Sequence, residues 1–127
     1  MSPIVEIGEG IRGAPEWSAR LMSAAGMKRS DTPNQDSFSY TVLDCGWIVC
    51  VACDGHGEQG EVISERATRM LPLFLSTHLP AMGLAEALPL AFGEAQADLE
   101  RCFSSAQAFS GATVAACCLH AESQEVW

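Results

Sequence analysis

Trp47-Ile48-Val49-Cys50-Val51-Ala52-Cys53-Asp54-Gly55-His56-Gly57-Glu58-Gln59-Gly60 decides how the rest of the chain is read. The apolar run from Trp47 to Cys53 has no polar break, which is the pattern of a buried strand. It stops at Asp54, so a carboxylate is expected at the strand tip. Gly55 and Gly57 let the backbone turn where a Cβ would obstruct it. Asp54 offers two acceptor oxygens, Gly55 a carbonyl that a hard cation can approach, and His56 a group that gives or takes a proton near neutral pH. These residue types point to Mg²⁺ or Mn²⁺ with an acid beside it. The plainer reading of the same residues is a turn after a strand, since Asp-Gly is a common turn signal.

Immediately upstream, Phe38 to Leu43 alternates Phe, Tyr and Val with Ser and Thr, the period of a half-buried strand. Asp44-Cys45-Gly46 is short enough to close a hairpin into the Trp47 strand, making the two strands antiparallel. Asp36 then opens one strand and Asp54 closes the other. Both carboxylates are expected at the same end of the sheet.

Downstream, Glu58 to Leu79 places Val62, Ile63, Ala67, Met70, Leu71 and Phe74 at helical spacing, and Pro72 is expected to end or kink that helix. A second helix is expected over Leu84 to Phe103, with Leu88, Phe92, Ala95, Leu99 and Cys102 on its apolar face and Pro89 tolerable only near the first turn. After a polar connection at 104–110, Gly111 to Leu119 reads as a buried strand. His120 to Gln124 is turn-like, and Glu125-Val126-Trp127 begins a further strand with no room to pair. That ending suggests a sequence cut inside a sheet. Near the start, Ile4 to Ile7 is a candidate edge strand, Trp17 to Ala25 a strand or short helix, and Met27 to Asp36 an exposed loop.

At 127 residues the chain has room for one domain. Its formal net charge of −9 offers no basic field, and its few cations are scattered, so nucleic acid and anionic membrane surfaces are not expected partners. The sequence has no apolar segment long enough to cross a bilayer and no basic start, which leads to an intracellular expectation, cytoplasmic or nuclear. In that setting Cys45, Cys50, Cys53, Cys102, Cys117 and Cys118 are expected as reduced thiols, mostly packed. Cys45, Cys50 and Cys53 also have the spacing of an iron–sulfur motif, but Cys50 and Cys53 fall on opposite faces of one strand. His78 and His120 read as solvent-facing.

Three separated stretches agree in kind and order. Asn34-Gln35-Asp36-Ser37-Phe38, Val51-Ala52-Cys53-Asp54-Gly55-His56-Gly57 and Ser110-Gly111-Ala112-Thr113-Val114 resemble the first three motifs of the metal-dependent serine/threonine protein phosphatases, the PPM-type or protein phosphatase 2C family. Asp-Gly-His-Gly after an apolar strand and before a helix is the specific motif. The resemblance implies an α+β fold, a partial α-β-β-α sandwich of antiparallel strands with two long helices on one face, incomplete relative to the full family domain. Residues 1–16 would be an irregular lead-in and 17–127 the amino-terminal part of the catalytic domain.

The resemblance also implies two Mn²⁺ or Mg²⁺ ions per complete site and a phosphoserine or phosphothreonine protein as substrate. Asp54 would bridge the metals, the Gly55 carbonyl would complete one of them, Asp36 would act through metal-bound water, and His56 would protonate the leaving oxygen. Departures accompany the matches. An arginine that family members carry before the acidic pair is replaced here by Lys28 and Arg29 as the nearest phosphate-binding cations, and Gln35 stands where many members have glutamate. The family's Gly-Asp-Ser strand and later metal-binding aspartates do not follow within these residues. The remaining donors fall short of the six or so oxygens each ion wants, so the chain by itself is expected to bind metal weakly and to turn over phosphate poorly or not at all. A competing expectation is a non-catalytic pseudophosphatase or fragment, an interaction module whose exposed strand edges are open to self-association.

Overall fold

The computed structural model describes residues 22–24, 33–104 and 109–127. Three strands and two helices follow in the order β1 (Asp36–Val42), β2 (Trp47–His56), α1 (Gly60–His78), α2 (Leu84–Cys102) and β3 (Gly111–His120). The strands form one antiparallel sheet in the order β1-β2-β3. This is a mixed α+β fold. The most apolar strand, β2, takes the centre, where both its edges are paired. The expected strand at Ile4 to Ile7 and most of Trp17 to Ala25 lie outside the described residues; 22–24, like 33–35, has no regular structure.

The hairpin forms where the short connection required it. Leu43 N–H donates to the Trp47 carbonyl at 2.8 Å, Gly46 N–H to the Leu43 carbonyl at 2.9 Å, and Gly46 takes φ +89°, a conformation that favours glycine. The expected strand at Glu125 to Trp127 does find a partner. His120 N–H donates to the Glu125 carbonyl, Cys118 and Trp127 exchange both backbone bonds, and Val126 bridges Leu119 on the outer edge of β3. Gln124, at φ 58°, makes that reversal possible.

Helix α1 lies against the sheet and contacts all three strands, while α2 packs against α1. Val49, Val51 and Cys53 of β2 and Cys118 of β3 meet Ala67, Leu71 and Leu75 of α1 in the core, joined by Leu84, Ala87, Ala91 and Ala95 of α2. Burying each of the large aliphatic side chains contributes about 1.5–3 kcal/mol. The buried stripe of α2 differs from the expected one: Phe92 and Cys102 are exposed, and Leu88 and Leu99 only flank the core. The alanines win the interface because small side chains let two helix axes approach closely.

Of the two outcomes expected at Pro72, an end to the helix does not occur, since α1 continues to His78; Pro89, expected near the first turn of α2, sits past it. Pro72 deprives the Thr68 carbonyl of its helical donor. The Ser39 hydroxyl supplies the replacement, donating to that carbonyl at 2.6 Å. Pro89 is exposed, as is Ala85, whose carbonyl loses its donor where solvent can reach it.

That bond belongs to a polar seam. Register pairs Ser37, Ser39 and Thr41 of β1 with Cys53, Val51 and Val49, so the small hydroxyl residues of β1 face the helix layer and Phe38, Tyr40 and Val42 face the other way. Ser37 and Ser64 share a hydroxyl–hydroxyl bond of 3.0 Å, and Ser64 donates to the Gln35 carbonyl at 2.6 Å. Ser64 and Thr68 are buried on α1 and fully occupied by these bonds. Together they hold the first residues of β1 against the start of α1, where the candidate site begins.

Candidate functional site

Strand β2 continues to His56, three residues past the end of its apolar run, so Asp54 lies inside the strand instead of at its tip. The reason is pairing on both sides: Asp54 is opposite Asp36 on β1 and Thr113 on β3, and Gly55 N–H donates to the Gln35 carbonyl at 3.1 Å. Because Gln35 and Gly55 form a hydrogen-bonded pair, Asp36 and Asp54 form the adjoining non-hydrogen-bonded pair. Such pairs bring Cα atoms to about 4.5 Å and side chains onto the same face. Both aspartates are exposed. Two like charges set directly opposite one another are destabilising unless a cation sits between them.

His56 follows Asp54 by two positions and so projects from the same face. Its strand partner is Gly111, and a Cβ there would come within 2.9 Å of the His56 ring atoms Cε1 and Nε2. Glycine at 111 therefore leaves the imidazole room to lie across β3. The ring is exposed at the end of the sheet and is not enclosed by aliphatic side chains.

Gly55 is buried, and a Cβ on it would overlap the Gly60 carbonyl and approach the Gln35 carbonyl to 2.6 Å. Close packing of the α1 start against the end of β2 thus requires glycine. Gly57 has φ +83° and turns the chain from strand to helix. The Gln35 side-chain amide spans this turn, donating to the Gly57 carbonyl and to Glu61 Oε2 at 3.3 Å. A glutamate at 35 would face Glu61 with like charge, so the amide suits this junction. Ser110 Oγ accepts the Gln59 N–H at 3.1 Å and ties the start of β3 to the same turn.

Asp36, Asp54 and Thr113 line one end of an open groove of about 500 Å³ whose floor is Phe38, Ala52 and Ala115. Met22, Ser23 and Ala24 form part of its wall, anchored by the Asn34 side-chain amide donating to Ser23 Oγ at 2.9 Å. Asn34 Oδ1 accepts the Asp36 N–H at 3.2 Å and so presets the first residue of β1. Sequence reading missed Thr113 as a neighbour of the aspartates. Its hydroxyl accepts the Asp54 N–H at 3.3 Å, a contact that depends on the β2–β3 register.

Lys28 and Arg29 lie outside the described residues. Among the described residues no cluster of three or more His, Cys, Asp or Glu side chains is placed to hold a metal ion, and no helix is long and apolar enough to cross a membrane. The donors present are hard oxygens, which suit Mg²⁺ or Mn²⁺ as part of a coordination shell and leave the rest to other groups.

The thiols do not form a cluster site. Cys53 is buried toward α1 and Cys50 lies on the opposite face, which excludes their joint ligation. Burial pushes the Cys53 and Cys118 thiols up to about 11. Contrary to the expectation of packed thiols, Cys45, Cys102 and Cys117 are exposed. The two histidines expected in solvent are instead half-covered: His78 meets Glu94 at 2.8 Å, and the His120 ring stands edge-on to Trp47.

No family model matches the chain, and no curated protein matches it.

Proposed function

We propose that this chain provides part of a metal-dependent phosphomonoester hydrolase site of the PPM type, acting on phosphoserine or phosphothreonine in proteins. The observation that supports this reading is the direct opposition of Asp36 and Asp54 across β1 and β2, with His56 on the same face. Opposed carboxylates repel unless a cation lies between them, and their oxygens are the ligands Mn²⁺ or Mg²⁺ prefers. Bound there, such ions supply an activated water and neutralise charge on phosphoryl oxygens.

The residues divide the remaining work. Asp54 and Asp36 hold and orient the cation side of the site, with the Gly55 carbonyl as a further oxygen. The exposed His56 imidazole reaches past Gly111 and donates a proton to the departing serine or threonine oxygen. Lys28 and Arg29 are the proposed phosphate contacts. The groove floor of Phe38, Ala52 and Ala115 gives a peptide an apolar surface beside the acids.

A second reading has its own support. That reading is a non-catalytic interaction module, whose binding feature is the outer edge of β1, which no other described strand pairs, whereas 125–127 cover part of the β3 edge. Calorimetric titration with Mn²⁺ and Mn²⁺-dependent hydrolysis of p-nitrophenyl phosphate separate the two. Heat and turnover that both vanish in Asp54→Asn support the hydrolase. A folded chain that gives no heat of binding even at millimolar Mn²⁺ supports the module.

A further inference from the structure

Tyr40, Cys50 and Cys117 form one row across the three strands, Tyr40 opposite Cys50 and Cys50 opposite Cys117. The row lies on the face away from α1, because the alternate residues Val49 and Val51 are the ones buried in the core. Cys117 is exposed and Cys50 half-buried. The other thiols of these strands, Cys53 and Cys118, point to the helix side and are buried.

The kind of pairing fixes the separation. Ala121 N–H donates to the Gly46 carbonyl, and Asp54 N–H points at Thr113, so the even-numbered residues of β2 turn their peptide groups toward β3. Cys50 and Cys117 are therefore a hydrogen-bonded pair, with Cα atoms about 5.5 Å apart. That separation is the commonest one for a disulfide, whose Cβ atoms sit about 3.8 Å apart. In a hydrogen-bonded pair the Cβ atoms start near about 5.5 Å, so closure draws them in by roughly 1.5–2 Å against the resistance of the two strand backbones. A bond closed against that resistance is easily reduced again.

We propose that Cys50 and Cys117 are a reversible cross-strand thiol–disulfide site whose co-reactant is a low-molecular-weight disulfide of the glutathione type. Burial, with the neighbouring Cys117 adding to it, raises the Cys50 thiol above its ordinary range, so the exposed Cys117 reacts first. Its thiolate attacks one sulfur of the small disulfide, forming a mixed disulfide and releasing one small thiolate, which takes up the Cys117 proton. Cys50 then gives up its proton, and its sulfur attacks the Cys117 sulfur and expels the second small thiolate. Two protein thiols are oxidised by two electrons, and one small disulfide is reduced to two thiols.

The bond would tie β2 to β3 four residues from Asp54, about 13 Å along the strand. It touches neither aspartate, so it stands or falls independently of the hydrolase reading. The test uses the 127-residue chain carrying Cys45→Ser and Cys102→Ser, at low micromolar concentration across a series of oxidised-to-reduced glutathione ratios. The expected product is a monomer lighter by two hydrogens, whose tryptic peptides 30–66 and 102–127 stay joined without reductant. Its Tm rises by several degrees, and excess reduced glutathione restores both thiols. Cys50→Ser or Cys117→Ser abolishes the linkage, whereas Cys53→Ala and Cys118→Ala leave it intact. Free thiols throughout the series, a glutathione adduct that stops at Cys117, a linked dimer, or a linkage surviving Cys50→Ser overturns the proposal.

Discussion

Replacing Ser39 with alanine tests how α1 tolerates a proline at 72. The Ser39 hydroxyl is the donor, at 2.6 Å, to the Thr68 carbonyl that Pro72 leaves without its helical N–H, and Thr68 is 2% exposed, so solvent cannot take over. Ser39→Ala therefore removes a bond and also strands a buried acceptor, at a cost of about 1–3 kcal/mol. With a urea dependence of about 1–3 kcal/mol per molar, the midpoint falls by roughly 1 M. Pro72→Ala returns an N–H to the same carbonyl. In that background Ser39→Ala forfeits just a second bond to an acceptor already satisfied, and its cost drops to about 0.5–1 kcal/mol. The four chains of the cycle are compared by urea denaturation followed by far-UV circular dichroism, and the coupling expected between the two positions is about 1–2 kcal/mol. An equal loss from Ser39→Ala in both backgrounds would falsify the idea that the strand hydroxyl stands in for the missing helical donor.

Two further outcomes follow from the same geometry. Asp98 is buried between α1 and α2, receiving Arg66 Nε at 2.6 Å and Nη2 at 3.0 Å together with Arg101, and the hydrogen bonds from Arg66 hold its carboxyl below the usual value of 3.8. A depressed native pKa means stability that is present above the unfolded value and lost as pH falls through the folded one. The wild-type midpoint should thus exceed that of Asp98→Asn at neutral pH, and the two should converge below about pH 4; a gap independent of pH from neutral to acid would refute the assignment. Gly111→Ala places a methyl 2.9 Å from the exposed His56 ring, which must swing by roughly 0.5–1 Å to regain ordinary contact. Folding should survive, read as a Tm within a few degrees of wild type, and if the proposed hydrolase function holds, the Mn²⁺-dependent hydrolysis of an aryl phosphate should fall about 10²-fold from the wild-type rate. Unchanged turnover in a folded Gly111→Ala chain would remove His56 from the proton-transfer role.

Some of this molecule was legible without coordinates. The hairpin around Asp44 to Gly46, the buried character of the Trp47 strand and the presence of two helices followed from apolar period and turn chemistry, which are local properties. So did the meeting of Asp36 and Asp54, because a short connection between two strands leaves one antiparallel register in which both lie at the same end. The conformational need for glycine at 57 was equally readable, as a chain passing from strand to helix in three residues needs a φ that glycine adopts freely.

What local pattern left open was decided by contacts between elements. The alternation in β1 did not say which face would turn inward, and the hydroxyl side went to the core because Ser64 and the Thr68 carbonyl on α1 needed partners there. The stripe of α2 was drawn by side-chain hydrophobicity, yet the interface chose alanines and a buried Asp98, since close helix approach and two arginines outweighed the larger apolar residues. Pro72 could stay inside α1 because a strand far away in sequence offered the missing donor. Sequence determined which segments extend, which coil and which two acids meet; tertiary packing decided what faces what, because the energy of a face depends on the neighbour that covers it.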